Sequence, residues 1–163
     1  MLANFAKVHL EGEKNMYRIA ICDDDLVFGS LLEQYLQNFA KTRKIPIDVL
    51  VFARGEEYLE FLIEELPVDL IFLDIQFEKG LDGVQIGKEL RADIKNEMTQ
   101  IIYISGIESY AMQLFQNRPM DFLVKPVKQE RVDHIMEEYL RLFGNRNKQY
   151  FDYNVGKTHY RLL

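Results

Sequence analysis

Five short apolar runs alternate along the chain with five stretches in which apolar residues recur at three- and four-residue steps. The runs cover positions 17–22, 47–52, 70–73, 101–104 and 122–124 and are rich in Ile, Val, Leu and Phe. Such near-continuous runs fit strands of a parallel sheet, in which helices cover both faces and neither face alternates toward water. The stretches between them read as amphipathic helices. Phe28, Leu31, Leu32, Tyr35, Leu36 and Phe39 form the first stripe, and Val132, Ile135, Met136, Tyr139, Leu140 and Phe143 the last. The middle stripes are shorter: Leu59-Leu62-Leu66, Leu90-Ile94 and Met112-Phe115. Each is predicted to pack into the core. The alternation predicts an α/β domain, a doubly wound parallel five-stranded sheet. Right-handed crossovers leave few topologies open. In such open sheets ligands gather beyond the carboxyl ends of the strands, so the residue after each strand is where chemistry is expected.

Those positions are informative. The first strand runs into Asp23-Asp24-Asp25, the third into Asp74, the fourth into Ser105-Gly106 and the fifth into Lys125-Pro126. Clustered carboxylates repel one another and together favour a hard divalent cation; Mg²⁺ suits a small site that keeps water and phosphate oxygens as further ligands. With its charge offset by such a cation, Asp74 can act as a nucleophile toward a phosphoryl donor and form an acyl phosphate. Lys125 can pair with a phosphoryl oxygen as a point charge, and the Ser105 hydroxyl can donate to another. Singly these features are ordinary: a run of Asp can cap a helix, and Ser-Gly or Lys-Pro can be a turn. Their joint placement on one sheet edge carries the expectation.

Charge and composition narrow the function classes. Residues 16–144 hold 14 Lys and Arg against 23 Asp and Glu, a net −9, whereas residues 145–163 hold four basic residues and one acidic, a net +3. An acidic body argues against nucleic acid binding by the body itself. The single cysteine, Cys22, follows an apolar run and reads as a buried small hydrophobe in a reducing cytoplasm. No apolar run approaches the length that spans a bilayer, and no membrane role is expected. Residues 1–15 lack the sustained apolar stretch of a secretory signal and read as an N-terminal extension or an engineered remnant.

The segments 18–25, 70–75, Asp82-Gly83, 104–106 and 121–126 together resemble the receiver domain of bacterial response regulators, with the likeness running over residues 16–144. The resemblance implies a flavodoxin-like (βα)5 fold and an acidic pair, Asp23 and Asp24, with Asp24 a direct Mg²⁺ ligand. Asp74 would be the phosphoacceptor and a further metal ligand, the main-chain carbonyl of Gln76 would complete the set, and Ser105 and Lys125 would bind the phosphoryl group. It implies a cis Lys125–Pro126 bond, a sensor histidine kinase as donor, and a switch formed by Ser105 and Phe122. It also implies a homodimer through helix four, strand five and helix five. Two features depart from the common pattern. The loop after Asp74 is one residue longer and lacks its proline, and Phe122 has no hydroxyl, so burial must drive any switch there.

The tail reads as two short strands, 150–155 and 158–163, around Gly156-Lys157. After a receiver this resembles the start of a LytTR-type DNA-binding domain, so residues 145–163 are expected to be a linker and the first hairpin of a truncated output domain controlling transcription. A rival reading is an aspartate-nucleophile phosphohydrolase, since Asp23-x-Asp25 follows an apolar strand. Leu26 and Val27 stand where that family wants Gly and Thr or Ser, and no cap insertion is evident. A second rival is a receiver used only for phospho-independent docking, which usually lacks the acceptor or the acidic pair. The expected chemistry is a single modification rather than enzymatic turnover.

Overall fold

The computed structural model describes residues 16–65, 67–144, 151–155 and 158–162. The chain divides into two compact units, ending and beginning at Pro126 and Val127. The first unit holds five strands: β1 (Tyr17–Cys22), β2 (Ile47–Phe52), β3 (Leu70–Asp74), β4 (Gln100–Ser105) and β5 (Asp121–Val124). All neighbours are parallel, in the order β2-β1-β3-β4-β5. The five predicted strands are all present. The strands β3 and β4 each extend one residue or more beyond the predicted runs, so that Asp74 and Ser105 are the last residues of strands rather than the first of loops.

The sheet buries both faces, as the continuous apolar runs require. Ala20, Cys22, Ile71, Leu73, Ile101 and Tyr103 point to one side and join Tyr58 of α2 (Gly55–Glu64), Ile86 of α3 (Gly83–Lys88) and Leu90 in one cluster. The alternate positions Ile19, Ile21, Leu70, Phe72, Ile102 and Ile104 are also buried, and α1 (Leu26–Arg43) packs along β1 and β2. Asp25 starts α1: its side chain accepts hydrogen bonds from the Val27 and Phe28 amides, both at 3.0 Å. A helix N-terminus leaves such amides without partners, and an Asp in this place satisfies them.

Three predicted stripes are corrected, the first of them at Leu31, which is 37% exposed on the outer side of α1. Ile94 is exposed although Leu90 is buried, because α3 runs on into a π-helical turn, Glu89–Asp93, whose extra residue per turn breaks the four-residue step. The α-helical step places Met112 and Phe115 in the core, yet both are exposed, while Leu114 and Asn117 are buried. The segment Glu108–Asn117 is a 3₁₀ helix, in which residues three apart share a face. Positions 112 and 115 therefore fall together on the outer face, and 114 and 117 on the inner one. Leu66, from the second stripe, lies outside the described residues.

Buried polar groups tie this side together. Thr99, fully buried, donates to the Val68 carbonyl at 2.6 Å and accepts from Asn96 Nδ2 at 2.8 Å. Asn96 Oδ1 in turn accepts from the Met98 and Thr99 amides. The buried guanidinium of Arg91 donates to the carbonyls of Asn96 and Asn117. Asn117 Nδ2 donates to the Val84 carbonyl and to Tyr103 Oη. A buried polar network is stable only when every member is satisfied.

The second unit is described by itself. Its helix α4 (Gln129–Phe143) buries Val132, Ile135, Met136 and Tyr139 of the stripe predicted from sequence, while Leu140 and Phe143 are half-buried. Beyond it, β6 (Phe151–Val155) and β7 (Thr158–Leu162) pair antiparallel, as expected of the tail. The predicted extension 1–15 and the turn at 156–157 lie outside the described residues.

Thr99→Val keeps the shape of the side chain but strands the Val68 carbonyl and the Asn96 amide in the core. It should cost about 1–3 kcal/mol of unfolding free energy. Urea denaturation monitored by circular dichroism checks this; a midpoint equal to wild type would show that the network contributes nothing.

Candidate functional site

Parallel strands deliver their last residues to one edge, and the order β2-β1-β3 places the switch point of the topology between β1 and β3. Asp23 follows β1 and Asp74 ends β3, so both acidic positions flank that point. Both are buried, at 1% and 5% exposure, and Asp24 beside them is half-buried. One carboxylate oxygen from each of Asp23, Asp24 and Asp74 lies within 4.8 Å of the others. Of the Asp23-Asp24-Asp25 run, the first two thus join the cluster and the third caps the helix.

Lys125 holds this charge in place. Its Nζ donates to Asp23 Oδ2 at 2.9 Å and to Asp74 Oδ2 at 3.2 Å. The ammonium also lies 4.4 Å from the ring centroid of Phe28, a cation–π contact from α1. From sequence Phe28 reads only as a member of the core stripe; nothing in an i, i+3, i+4 pattern distinguishes a platform for a lysine from a core ring. The Lys125–Pro126 bond is cis, as the resemblance implied.

The other predicted residues sit around the cluster. Ser105 is fully buried at the end of β4, where its Oγ accepts from the Ile107 amide at 2.9 Å and its carbonyl accepts from the Lys125 amide. Gln76 lies in the loop that leaves Asp74, and its amide donates to Asp74 Oδ1 at 3.3 Å. Phe122 is half-buried against the core cluster and pairs with Tyr103 in register. Gly83, of the Asp82-Gly83 pair, is needed because a Cβ there would meet the Asp74 carbonyl oxygen at 2.0 Å. Asp82 caps α3 reciprocally with Gln85.

The electrostatics follow from this packing. Burial, then the neighbouring charge of Asp23, push the Asp74 carboxyl up to about 6, with Lys125 and the Gln76 amide opposing. For Lys125, burial works against the charged form but the hydrogen bond and charge of Asp23, and the charge of Asp74, outweigh it and raise its value. The site thus carries more negative charge than its one ammonium offsets. Hard oxygen donors, crowded and partly desolvated, are the donor set that a small divalent cation takes. Cys22, also near the edge, is fully buried and its thiol is pushed well above the usual range, first by burial, so it has no nucleophilic character here.

The doubly wound sheet thus gathers an acidic cluster, a buried hydroxyl and a lysine at one edge. Comparison with known proteins places it: residues 19–137 match the response regulator receiver domain, and the chain belongs to that family. Among curated relatives, the sensory transduction protein LytT of Oceanobacillus iheyensis is 34% identical over 77 residues, covering 47% of this chain and 30% of that protein. LytT of Bacillus subtilis is 24% identical over 127 residues, covering 78% of this chain and 49% of the relative. The chain therefore spans about a third to a half of the relatives it matches. The response regulator TrrA of Thermotoga maritima, solved with Mg²⁺–BeF, superposes with a TM-score of 0.65 at 24% identity over 77% of this chain and 100% of TrrA. The response regulatory domain of mrkE from Klebsiella pneumoniae gives 0.68 at 21% identity over 78% and 98%. These likenesses fix the fold as that of a receiver.

Because Asp74 ionises near 6 in the fold against an ordinary value of 3.8, the folded chain binds more protons than the unfolded chain between those values. Its contribution to stability therefore falls as pH rises from about 4 to about 6 and is level above that. Asp74→Asn removes this titration. Its unfolding free energy relative to wild type should improve by on the order of 2 kcal/mol between about pH 3.5 and pH 7. Urea melts across that range test the sign; a difference that stays flat, or moves toward wild type, contradicts a raised Asp74 carboxyl.

Proposed function

We propose that this chain is a phosphorylatable receiver in which Asp74 accepts the phosphoryl group of a sensor histidine kinase and Lys125 and Ser105 bind it. The observation that carries the reading is the position of Lys125 Nζ, which bridges Asp23 and Asp74 across 102 and 51 residues of sequence. An ammonium already in contact with the acceptor carboxylate needs only a small shift to meet a phosphoryl oxygen.

At neutral pH a carboxyl ionising near 6 is mostly anionic, so Asp74 is nucleophilic without a general base. One Asp74 oxygen attacks phosphorus in line, the new O–P bond forms as the donor's P–N bond breaks, and the departing imidazole takes up a proton from water. Lys125 follows the transferred charge, and the Ser105 hydroxyl, whose lone pair now accepts from Ile107, turns its proton to another phosphoryl oxygen. Asp23, Asp24, Asp74 and the Gln76 carbonyl would hold Mg²⁺, which offsets the negative charge of acceptor and donor as they approach. Such a group is modified once per signal rather than turned over, which separates this reading from a phosphohydrolase.

The downstream readings belong to the same proposal. Burial of Phe122, changed as Ser105 moves, would carry the state of Asp74 to the β4–β5 side of the domain. The exposed Met112, Phe115 and Val124 supply apolar surface there for the homodimer expected from sequence. The similarity to LytT proteins, with the antiparallel β6–β7 pair, supports a LytTR-type output through which the whole protein would bind DNA. Residues 16–144 would be the receiver and 145–163 the linker and first hairpin of that output. Among the described residues no helix is long and apolar enough to cross a membrane, and a cytoplasmic location is part of the reading.

Incubation with a small acyl phosphate and Mg²⁺, read by intact mass, tests it. One phosphoryl increment is expected on wild type, none on Asp74→Asn, and none when Mg²⁺ is chelated. Full incorporation into Asp74→Asn would remove the assignment, and release of many phosphates per chain would favour the hydrolase.

A further inference from the structure

The loop between Asp74 and α3 carries Gln76 and contains no proline. Two carboxylates from other parts of the chain hold its backbone. Asp24 Oδ2 accepts from the Glu78 amide at 2.8 Å, and Glu56 Oε1, from the first turn of α2, accepts from the Leu81 amide at 2.9 Å. Between these two grips Gly80 has φ +85°, and a Cβ there would lie 2.3 Å from Glu56 Oε1. The Glu56 carboxylate is thus seated directly against a left-handed glycine that no side chain could share. The hydrogen bond from Leu81 is also the main reason the Glu56 carboxyl lies below its ordinary range.

We infer that Glu56 is a positioning residue of the cation site: its carboxylate, seated on Gly80 and bonded to the Leu81 amide, fixes the loop that carries Gln76 and meets Asp24. The inference rests on the reading that Asp24 and Gln76 hold Mg²⁺. An Asp24 carboxylate that turns to a cation shares or gives up its bond to the Glu78 amide. The bond from Leu81 to Glu56 then remains as a side-chain anchor on the far part of the loop. No proline ring restricts this backbone covalently; a carboxylate on the neighbouring helix restrains it through space. The reach of Glu56, not its charge, does this. Groups that orient a metal ligand without touching the metal commonly govern affinity.

Calorimetric titration of the 163-residue chain with MgCl₂ separates reach from charge. Glu56→Gln keeps an oxygen at the same distance and should bind Mg²⁺ as wild type does. Glu56→Asp keeps the charge but is too short for the Leu81 amide, and should bind about tenfold more weakly, as should Glu56→Ala. Hydrogen exchange at the Leu81 amide should quicken in Glu56→Asp and Glu56→Ala and not in Glu56→Gln. Wild-type affinity in Glu56→Asp overturns the inference, as does equal weakening in Glu56→Gln, which would assign the effect to charge. If Glu56→Ala does not fold, Glu56→Asp decides. Asp24→Ala serves as the control for the underlying reading: undiminished Mg²⁺ binding there would remove the cation site itself, whereas its loss with an unaffected Glu56→Asp removes only the positioning role.

Discussion

Three carboxylates held within 4.8 Å of one another, two of them buried, are the constraint around which this molecule is organised. Left alone, such a cluster would be forced to take up protons or open to water. Lys125 is the counter-charge that lets it persist, and it can reach both Asp23 and Asp74 because β5 lies in a sheet with β1 and β3 and delivers its end to the same edge. Burial, and then the charge of Asp23 that one ammonium does not cancel, leave Asp74 with a raised proton affinity. The surplus negative charge that makes the site costly is what suits it to a small divalent cation.

Much of this was legible in the sequence because parallel sheets write themselves plainly. Continuous apolar runs at β1, β3 and β4 can be strands of little else, and once they are strands their C-terminal neighbours Asp23, Asp74 and Ser105 must share an edge. Resemblance to receivers added the roles proposed for Asp24, Gln76 and Phe122, which the residues alone did not give. The helices were less legible where their pitch departs from 3.6 residues. Leu90-Ile94 and Met112-Phe115 fit an α-helical step, but the backbone there is π and 3₁₀, and Ile94, Met112 and Phe115 consequently face outward. Contacts made through space left no trace in the pattern: Phe28 beneath Lys125, Glu56 on Gly80, and the Arg91–Asn117–Tyr103 chain all join residues of separate elements.

The rest of the unit serves to hold that edge still. The Arg91, Asn96 and Thr99 network pins the opposite end of β4 to the loop before β3, and Asn117 fastens the end of the 3₁₀ segment to Tyr103. Ser105 stands at the other end of the same strand, so the 3₁₀ segment is tied at Asn117 and begins shortly past the hydroxyl that would meet a phosphoryl group. Long 3₁₀ runs have poor hydrogen-bond geometry and often mark a hinge.

The central claim is that the acidic edge is built for a divalent cation, and its effect on unfolding tests this most directly. Urea denaturation near pH 7.5 should show wild type stabilised by Mg²⁺ relative to chelator at matched ionic strength. The gain expected from linkage is about 2.7 kcal/mol when Mg²⁺ is at roughly a hundred times its dissociation constant. Asp24→Ala should lose most of that gain. A wild-type midpoint that does not move with Mg²⁺ would contradict the claim, because the crowded carboxylates would then need no cation.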